Sequence, residues 1–339
     1  MKLTPCAEPW PTSTPNTESA SDGHAIWGTL AGVSALAFTL LALALVGPVP
    51  ALLARAAWPM RAPRAAVVLW QAVALAAVLS AFSAGLALAA RLFVPGPDGR
   101  PTAAVAEQIA ALGWPQWLSS VLVLALTLLI GARLTVAVIR VAIGTRRRRA
   151  QHRNLVDLLA ERRRELGGVR VLDVAEPLAY CLPGMRSRVV LSRGTLSALS
   201  APELAAILGH ERAHLRARHD LVLEAFIAVH TAFPRVVRSG SALRAVRLLV
   251  ELLADDAAVR AAGPRPLARA LVTCGCGPTP AGALAAGGPT TVIRVRRLSG
   301  PPNSRRVAIA AYGAAAAVLV IPTIAVAVPW LTELQRLWP

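Results

Sequence analysis

The sequence predicts a mainly α membrane protein: four transmembrane helices, with one α+β domain inserted before the last of them. Three observations carry that reading. The 339 residues are 55% hydrophobic and yet hold a formal net charge of +18, a pairing rare in soluble domains of this length. Four apolar runs reach the roughly 20 residues that a bilayer crossing needs. Arginines gather on alternate loops between those runs, as they do where basic residues are retained on the cytoplasmic side.

Residues 1–24, rich in Pro, Ser and Thr, read as a disordered extracytoplasmic tail. Glu18 and Asp22 stand where a cleaved signal peptide would carry basic residues, so the first run is expected to stay in the chain. The spans are expected over about 25–46, 66–90, 117–143 and 307–328. Trp27, Trp58, Trp70, Trp114, Trp117 and Trp330 fall at or near their ends, as in an aromatic belt. Arg55, Arg61 and Arg64 place the loop 47–65 inside, and the "RRRR" of 146–149 places 144–306 inside. The termini, including the short tail 329–339, and the loop 91–116 then lie outside a multi-pass plasma-membrane protein. Arg133 and Arg140 share a face of the third run and are expected to snorkel toward its cytosolic end. Gly28 and Gly32 form a G-x-x-x-G in the first. Cys6, Cys181, Cys274 and Cys276 have no zinc-ribbon spacing and read as free thiols in a reducing compartment.

In the inserted domain, "QHRNLVDLLAERRREL" reads as a helix, "VRVLDV" and "SRVVLS" as strands, "YCLPGM" as a turn and "RGTLSAL" as a short helix. Ser200 is an N-cap signal, with Glu203 three residues on and Pro202 in the first turn, so a long helix follows. Two more helices are expected, one ended by Pro234 and one by Gly263. The Gly- and Pro-rich stretch 274–302 reads as a flexible return to the last span.

The helix after Ser200 carries "HERAH", residues 210–214. His210 and His214 lie one turn apart on one face, and two imidazoles so placed can bind one Zn²⁺ at about 2.0–2.1 Å each. Glu211 lies about 100° around the helix from His210, beside the metal and not on it, the place of a general base. A catalytic zinc needs a third protein ligand and an open position. "ELLAD" offers Glu251 as that ligand and Asp255, one turn on, to orient a ligating imidazole. Asp220, His219 and His230 are accessory candidates: an anchor for the helix end or for Arg216 and Arg218, and two histidines that could assist an oxyanion. Cys181 reads as a small buried residue.

H-E-x-x-H with a downstream E-x-x-x-D resembles the gluzincin metallopeptidases. The order "AYCLPG", "RVVLSRGTLSALSAPELAAILGHERAHLRARHD", "HTAFP", "ELLADDAAV" is similar to the BlaR/MecR-type membrane peptidases, with four spans as supporting architecture. In that family's His-Trp-Phe-Asn-Pro stretch only His230 and Pro234 match here. The resemblance implies zinc ligands at His210, His214 and Glu251, a base at Glu211, and regulated cleavage of a cytosolic protein such as a winged-helix repressor. No extracellular penicillin-binding sensor domain is expected after the last span. The alternatives are an HtpX/Ste24-like quality-control or processing peptidase and a non-catalytic zinc-containing receptor or scaffold. A substrate strand is expected to add alongside "RVVLS". Besides substrate and the lipid bilayer, a second copy of the chain is left open as a partner. No direct nucleic-acid contact is expected, because arginines beside anionic lipid account for the charge.

Overall fold

The computed structural model describes residues 35–89, 92, 104–234, 239–275, 284–285, 290–301 and 303–337, with side chains described up to 325 apart from 284–285. The predicted N-terminal tail, the Gly28/Gly32 pair, Cys6 and Cys276 lie outside the described residues. Four helices are long and apolar enough to cross a membrane: α1 (Ala35–Arg55), α2 (Pro63–Ala89), α4 (Trp114–Leu159) and the first part of α11 (Arg305–Leu337). A short α3 (Val105–Leu112) precedes α4.

α2 is the centre of the bundle, packed against α11 on one side and α4 on another. Its contact with α4 needs glycine. A Cβ on Gly85 would lie 2.0 Å from Thr127 Oγ1, and one on Gly131 would lie 2.9 Å from the Phe82 ring, so the two backbones approach only because those side chains are missing. Leu122, Leu126, Leu128, Leu129 and Ile139 point outward from α4, as lipid-facing residues do.

α4 does not stop where the apolar run ends. Gly144 is its last glycine, and the arginine, alanine and leucine residues that follow favour helix, so span and polar stretch form one rod of 46 residues. It ends at Leu159, earlier than the sequence suggests, because Glu161–Arg163 turns back as strand β1. Gly167 and Gly168, with φ of 74° and 80°, make the turn into β2 (Val169–Leu172). "AYCL" is strand β3 (Ala179–Leu182) and not part of a turn; Pro183 and Gly184, with φ of 143°, turn the chain into β4 (Arg188–Ser192).

The sheet order is β1-β2-β4-β3-β5, where β5 is Leu284–Ala285. β4 pairs parallel with β2 and antiparallel with β3, so both its edges are filled. This overturns the expectation that a substrate strand adds beside Arg188–Ser192. The outer edge of β3 pairs with β5, Cys181 opposite Leu284. Side chains alternate across the sheet: Val189 and Leu191 join Ala206 and Ile207 on one face, and Val190 joins Tyr180 and Val156 of α4 on the other.

The remaining helices are α5 (Arg193–Ala198), α6 (Ala201–Ala217), α7 (His219–Ala232), α8 (Ser239–Ala262), α9 (Pro264–Cys274) and α10 (Thr291–Leu298). α6 starts where expected, with the Ser200 N–H donating to Glu203 Oε2 at 2.9 Å. It packs along α8 through buried small residues, among them Ala213, Ala254 and Ala258. α7 returns along α4. Arg149 binds Asp220 Oδ2 at 3.1 Å and Glu224 Oε1 at 2.7 Å, and Arg133 Nε donates to the Ala232 carbonyl at 2.6 Å, supplying a donor to the last turn of α7. The end of α7 and the start of α8 reach the spans: Phe226, Val229 and Ala242 share a cavity wall with Trp70, Ile130 and Leu134. Within the expected flexible return, α10 is helical although rich in β-branched residues, held by Arg297, which binds Asp256 Oδ1 at 2.8 Å and the Met60 carbonyl at 2.8 Å.

Candidate metal centre

α6 and α8 bring the H-E-x-x-H and E-x-x-x-D residues together. His210 Nε2 and His214 Nε2 stand 3.1 Å apart. Glu251 Oε2 is 3.4 Å from His210 Nε2, and Oε1 is 3.5 Å from His214 Nε2. Ligand atoms held 2.0–2.1 Å from a tetrahedral ion would be about 3.3 Å apart, so these three side chains fit one small cation. They are the metal-capable cluster among the described residues.

The surroundings set the imidazole tautomers. His210 Nδ1 lies 3.0 Å from Asp255 Oδ1, which holds the ring proton there and leaves Nε2 as an acceptor toward the ligand point. His214 Nδ1 lies 3.1 Å from His219 Nδ1. For His214 Nε2 to present its lone pair, His214 Nδ1 carries the proton and donates it to His219. His219 thus belongs to the centre, as an orienting partner of His214. Asp220 does not reach the centre: it anchors α7 to Arg149, with Arg218 Nε farther off at 3.9 Å. His230 lies elsewhere, its Nδ1 2.9 Å from Ser239 Oγ, where it ties α7 to α8.

Glu211 is fully buried, and neither carboxylate oxygen has a hydrogen-bond partner among the described residues. The Cys181 thiol lies beside it without the geometry of a hydrogen bond. Leaving a buried carboxylate unpartnered costs several kcal/mol, roughly, so the orphan marks a place where something else supplies the charge or proton. Burial pushes Glu211 up to about 7. Burial also pushes the Cys181 thiol well above its usual value, and the Glu211 charge adds to that.

Sequence reasoning missed one residue of the centre. Arg294 of α10, with 1% of its side chain exposed, donates from Nε to Asp255 Oδ2 at 2.8 Å and from Nη2 to Oδ1 at 2.5 Å. Its Nη1 stands 3.0 Å from Glu251 Oε2, an ion pair short of hydrogen-bond alignment. No motif announced it; the one available signal was a basic octet, "TVIRVRRL", downstream of the acid-bearing "ELLADD". Glu211, Glu251 and Asp255 against Arg294 leave two negative charges, which a divalent cation would balance. Without a cation, protons would take that part. Burial alone would lower His210, but the Asp255 and Glu251 carboxylates against its ring outweigh burial and raise it to about 9. His214, without a carboxylate on Nδ1, is lowered by burial to about 3. Glu251 is held down at about 2: burial opposes ionisation, but the His214 and His210 imidazoles and Arg294 prevail.

Geometry, tautomers, orphaned carboxylate and charge balance all fit a divalent metal held by His210, His214 and Glu251. No curated protein and no solved structure gives a match to this chain. Residues 146–241, from the arginine block through α6 and α7 and so including the H-E-x-x-H, match the model of peptidase family M48, and that part of the chain is similar to a family of proteases.

Proposed function

We propose that the chain is an integral membrane zinc endopeptidase with His210, His214 and Glu251 as ligands and Glu211 as general acid–base. The observation that carries this is the convergence of three donor atoms on one point with an unpartnered buried carboxylate beside it. Bound zinc would supply Lewis-acid polarisation of the scissile carbonyl and of the attacking water. Glu211 takes the proton of that water and hands it to the leaving amine; a carboxylate already raised to about 7 can both accept and return a proton near neutrality. Asp255 and His219 hold the two imidazoles in the ligating tautomer. The outer edge of β3 is the rail on which a substrate main chain would lie, displacing the short β5 paired there, because the Cys181 strand borders Glu211.

The finer reading follows the BlaR/MecR-like motif order: a catalytic domain facing the cytosol of a plasma-membrane protein, cutting a cytosolic protein such as a winged-helix repressor. An HtpX/Ste24-like processing role uses the same zinc signature and is told apart by its substrate. A scaffold with a structural zinc is disfavoured because such sites are closed by four protein ligands, and three converge here among the described residues.

The test is zinc content and proteolysis of the detergent-purified full chain. One equivalent of zinc, lost in His210→Ala and Glu251→Ala, is expected. Glu211→Gln should keep the zinc and lose turnover of an unstructured protein by at least about a hundredfold, the usual scale of a lost general base. Zinc lost in Glu211→Gln would make that residue a ligand and sink the assignment.

A further inference from the structure

On the side of the domain where it meets the spans lies a cavity of ≈ 730 Å³, distinct from the metal centre. Its wall is built from the end of α1, the 58–61 turn before α2, the middle of α8, and the α10 segment that leads into α11. Three of the four membrane-length helices therefore have an end at its rim. Backbone and side-chain bonds stitch that rim together: the Ser304 N–H donates to the Arg61 carbonyl at 2.8 Å, and Arg297 Nε donates to the Met60 carbonyl at 2.8 Å.

The lining has two characters. Arg55, Arg61 and Arg296 face it, and no acidic residue lines it. All three are exposed, and none has an ion-pair partner among the described residues, unlike Arg297, which is neutralised by Asp256. Between the arginines the wall is apolar, through Leu53, Leu248 and Ile293. Val292, beside Ile293, is 78% exposed, so the apolar wall continues outward on α10. Trp70 also borders the cavity, and its indole N–H is buried without an acceptor among the described residues. Three unneutralised guanidiniums around an apolar floor, at the depth where the spans end, match one ligand chemistry: a phosphate ester joined to acyl chains.

We propose that this cavity binds the headgroup and glycerol of an anionic phospholipid from the leaflet that faces the domain. The volume falls in the range of small-molecule sites, about 300–1,000 Å³. Guanidinium forks suit a phosphodiester, and the anionic surface of a membrane supplies it at high local concentration. The site has a consequence for the metal centre, because α10 is shared. One face of α10 sends Arg294 to Asp255 and Glu251, and the other turns Ile293 and Arg296 to the cavity. A lipid seated there holds the helix that delivers Arg294. The lipid site stands independently of whether the metal centre is catalytic.

The experiment is a native mass spectrometry titration of dioleoylphosphatidylglycerol into the delipidated full chain in detergent, with dioleoylphosphatidylcholine as the reference lipid. Preferential retention of phosphatidylglycerol is expected. The triple variant Arg55→Gln, Arg61→Gln, Arg296→Gln should lose about tenfold or more of that affinity, given several-fold per arginine near anionic lipid. A control that removes the same charge from the exposed Arg146, Arg147 and Arg148 should keep it. Should the triple variant not yield folded protein, Arg296→Gln alone is expected to show the same loss at smaller amplitude. Equal retention of both lipids, equal loss in the control, or displacement of phosphatidylglycerol by low-millimolar inorganic phosphate would each overturn the proposal, the last by making this a soluble-anion site.

Discussion

The polar residues of the metal centre divide between those that touch the ion's place and those that hold the touching ones still. Asp255 and His219 are of the second kind. Asp255→Asn and His219→Ala should each weaken zinc binding about 10–100-fold, the usual effect of losing an orienting partner, as measured by chelator competition. Unchanged zinc affinity in His219→Ala would remove that residue from the centre. Proton linkage gives a second prediction. His210 is raised to about 9 without metal, so metal must displace a proton from it below that pH. Apparent zinc affinity should then rise about tenfold per pH unit between 7 and 9 and flatten above. Folding of the metal-free protein should move the other way. A folded value above the unfolded 6.5 means the His210–Asp255 stabilisation is full below 6.5 and is lost as pH rises through about 9. Glu211, raised by burial to about 7, adds to that loss. Melting of zinc-stripped and zinc-loaded protein at pH 6.5 and 8.5 checks both signs. Of this set, His210 with His214 and Glu251 with Asp255 were legible because an i,i+4 spacing puts each pair on one helix face, and Glu211 because it lies about 100° round from His210. His219 was named without its partner, and Arg294 was invisible, since its contacts to Glu251 and Asp255 cross from another helix.

At the level of elements, β3 and α4 decide how the centre is reached and held. Among the described residues β5 covers the edge of β3 with two paired residues, Tyr180 opposite Ala285 and Cys181 opposite Leu284. If a substrate strand uses that edge, β5 competes with it. Leu284→Pro removes a main-chain donor from β5 and leaves β3 untouched, and is expected to speed cleavage of an unstructured protein several-fold, about the value of one hydrogen bond. Slower or unchanged cleavage would place the substrate elsewhere. The α4 rod acts on α7 through Arg149, whose side chain is 10% exposed, against Asp220 at 3%. Removing one partner of a buried pair leaves an uncompensated charge, so Arg149→Ala should cost about 3–5 kcal/mol, seen as a lower melting temperature in detergent. Strand "AYCL" was hidden in the sequence because it is four residues ended by Pro-Gly, a pattern shared with turns. β4 was recognised as a strand, but its pairing on both sides depends on chain segments before and after it.

The whole molecule is two packed units that share helices: α4 runs from one into the other, and α7 and α8 lead back from the metal centre to the spans. If basic loops face the cytosol, then in a Cys6→Ser background an added cysteine at Arg147 should react with a membrane-impermeant maleimide only after the cell is opened, and one at Gln116 in intact cells. The reverse labelling would invert the proposed orientation. The sequence by itself determined the four apolar helices, the capped start of α6 and the pairing of H-E-x-x-H with E-x-x-x-D, because hydropathy, capping and helical period are local properties. Only the tertiary structure decided that β4 is central, that α7 lies along α4, that α10 is a helix and that Arg294 closes on Glu251 and Asp255. Each of those rests on partners distant in the chain, and their charge, burial and spacing become definite only when the helices pack.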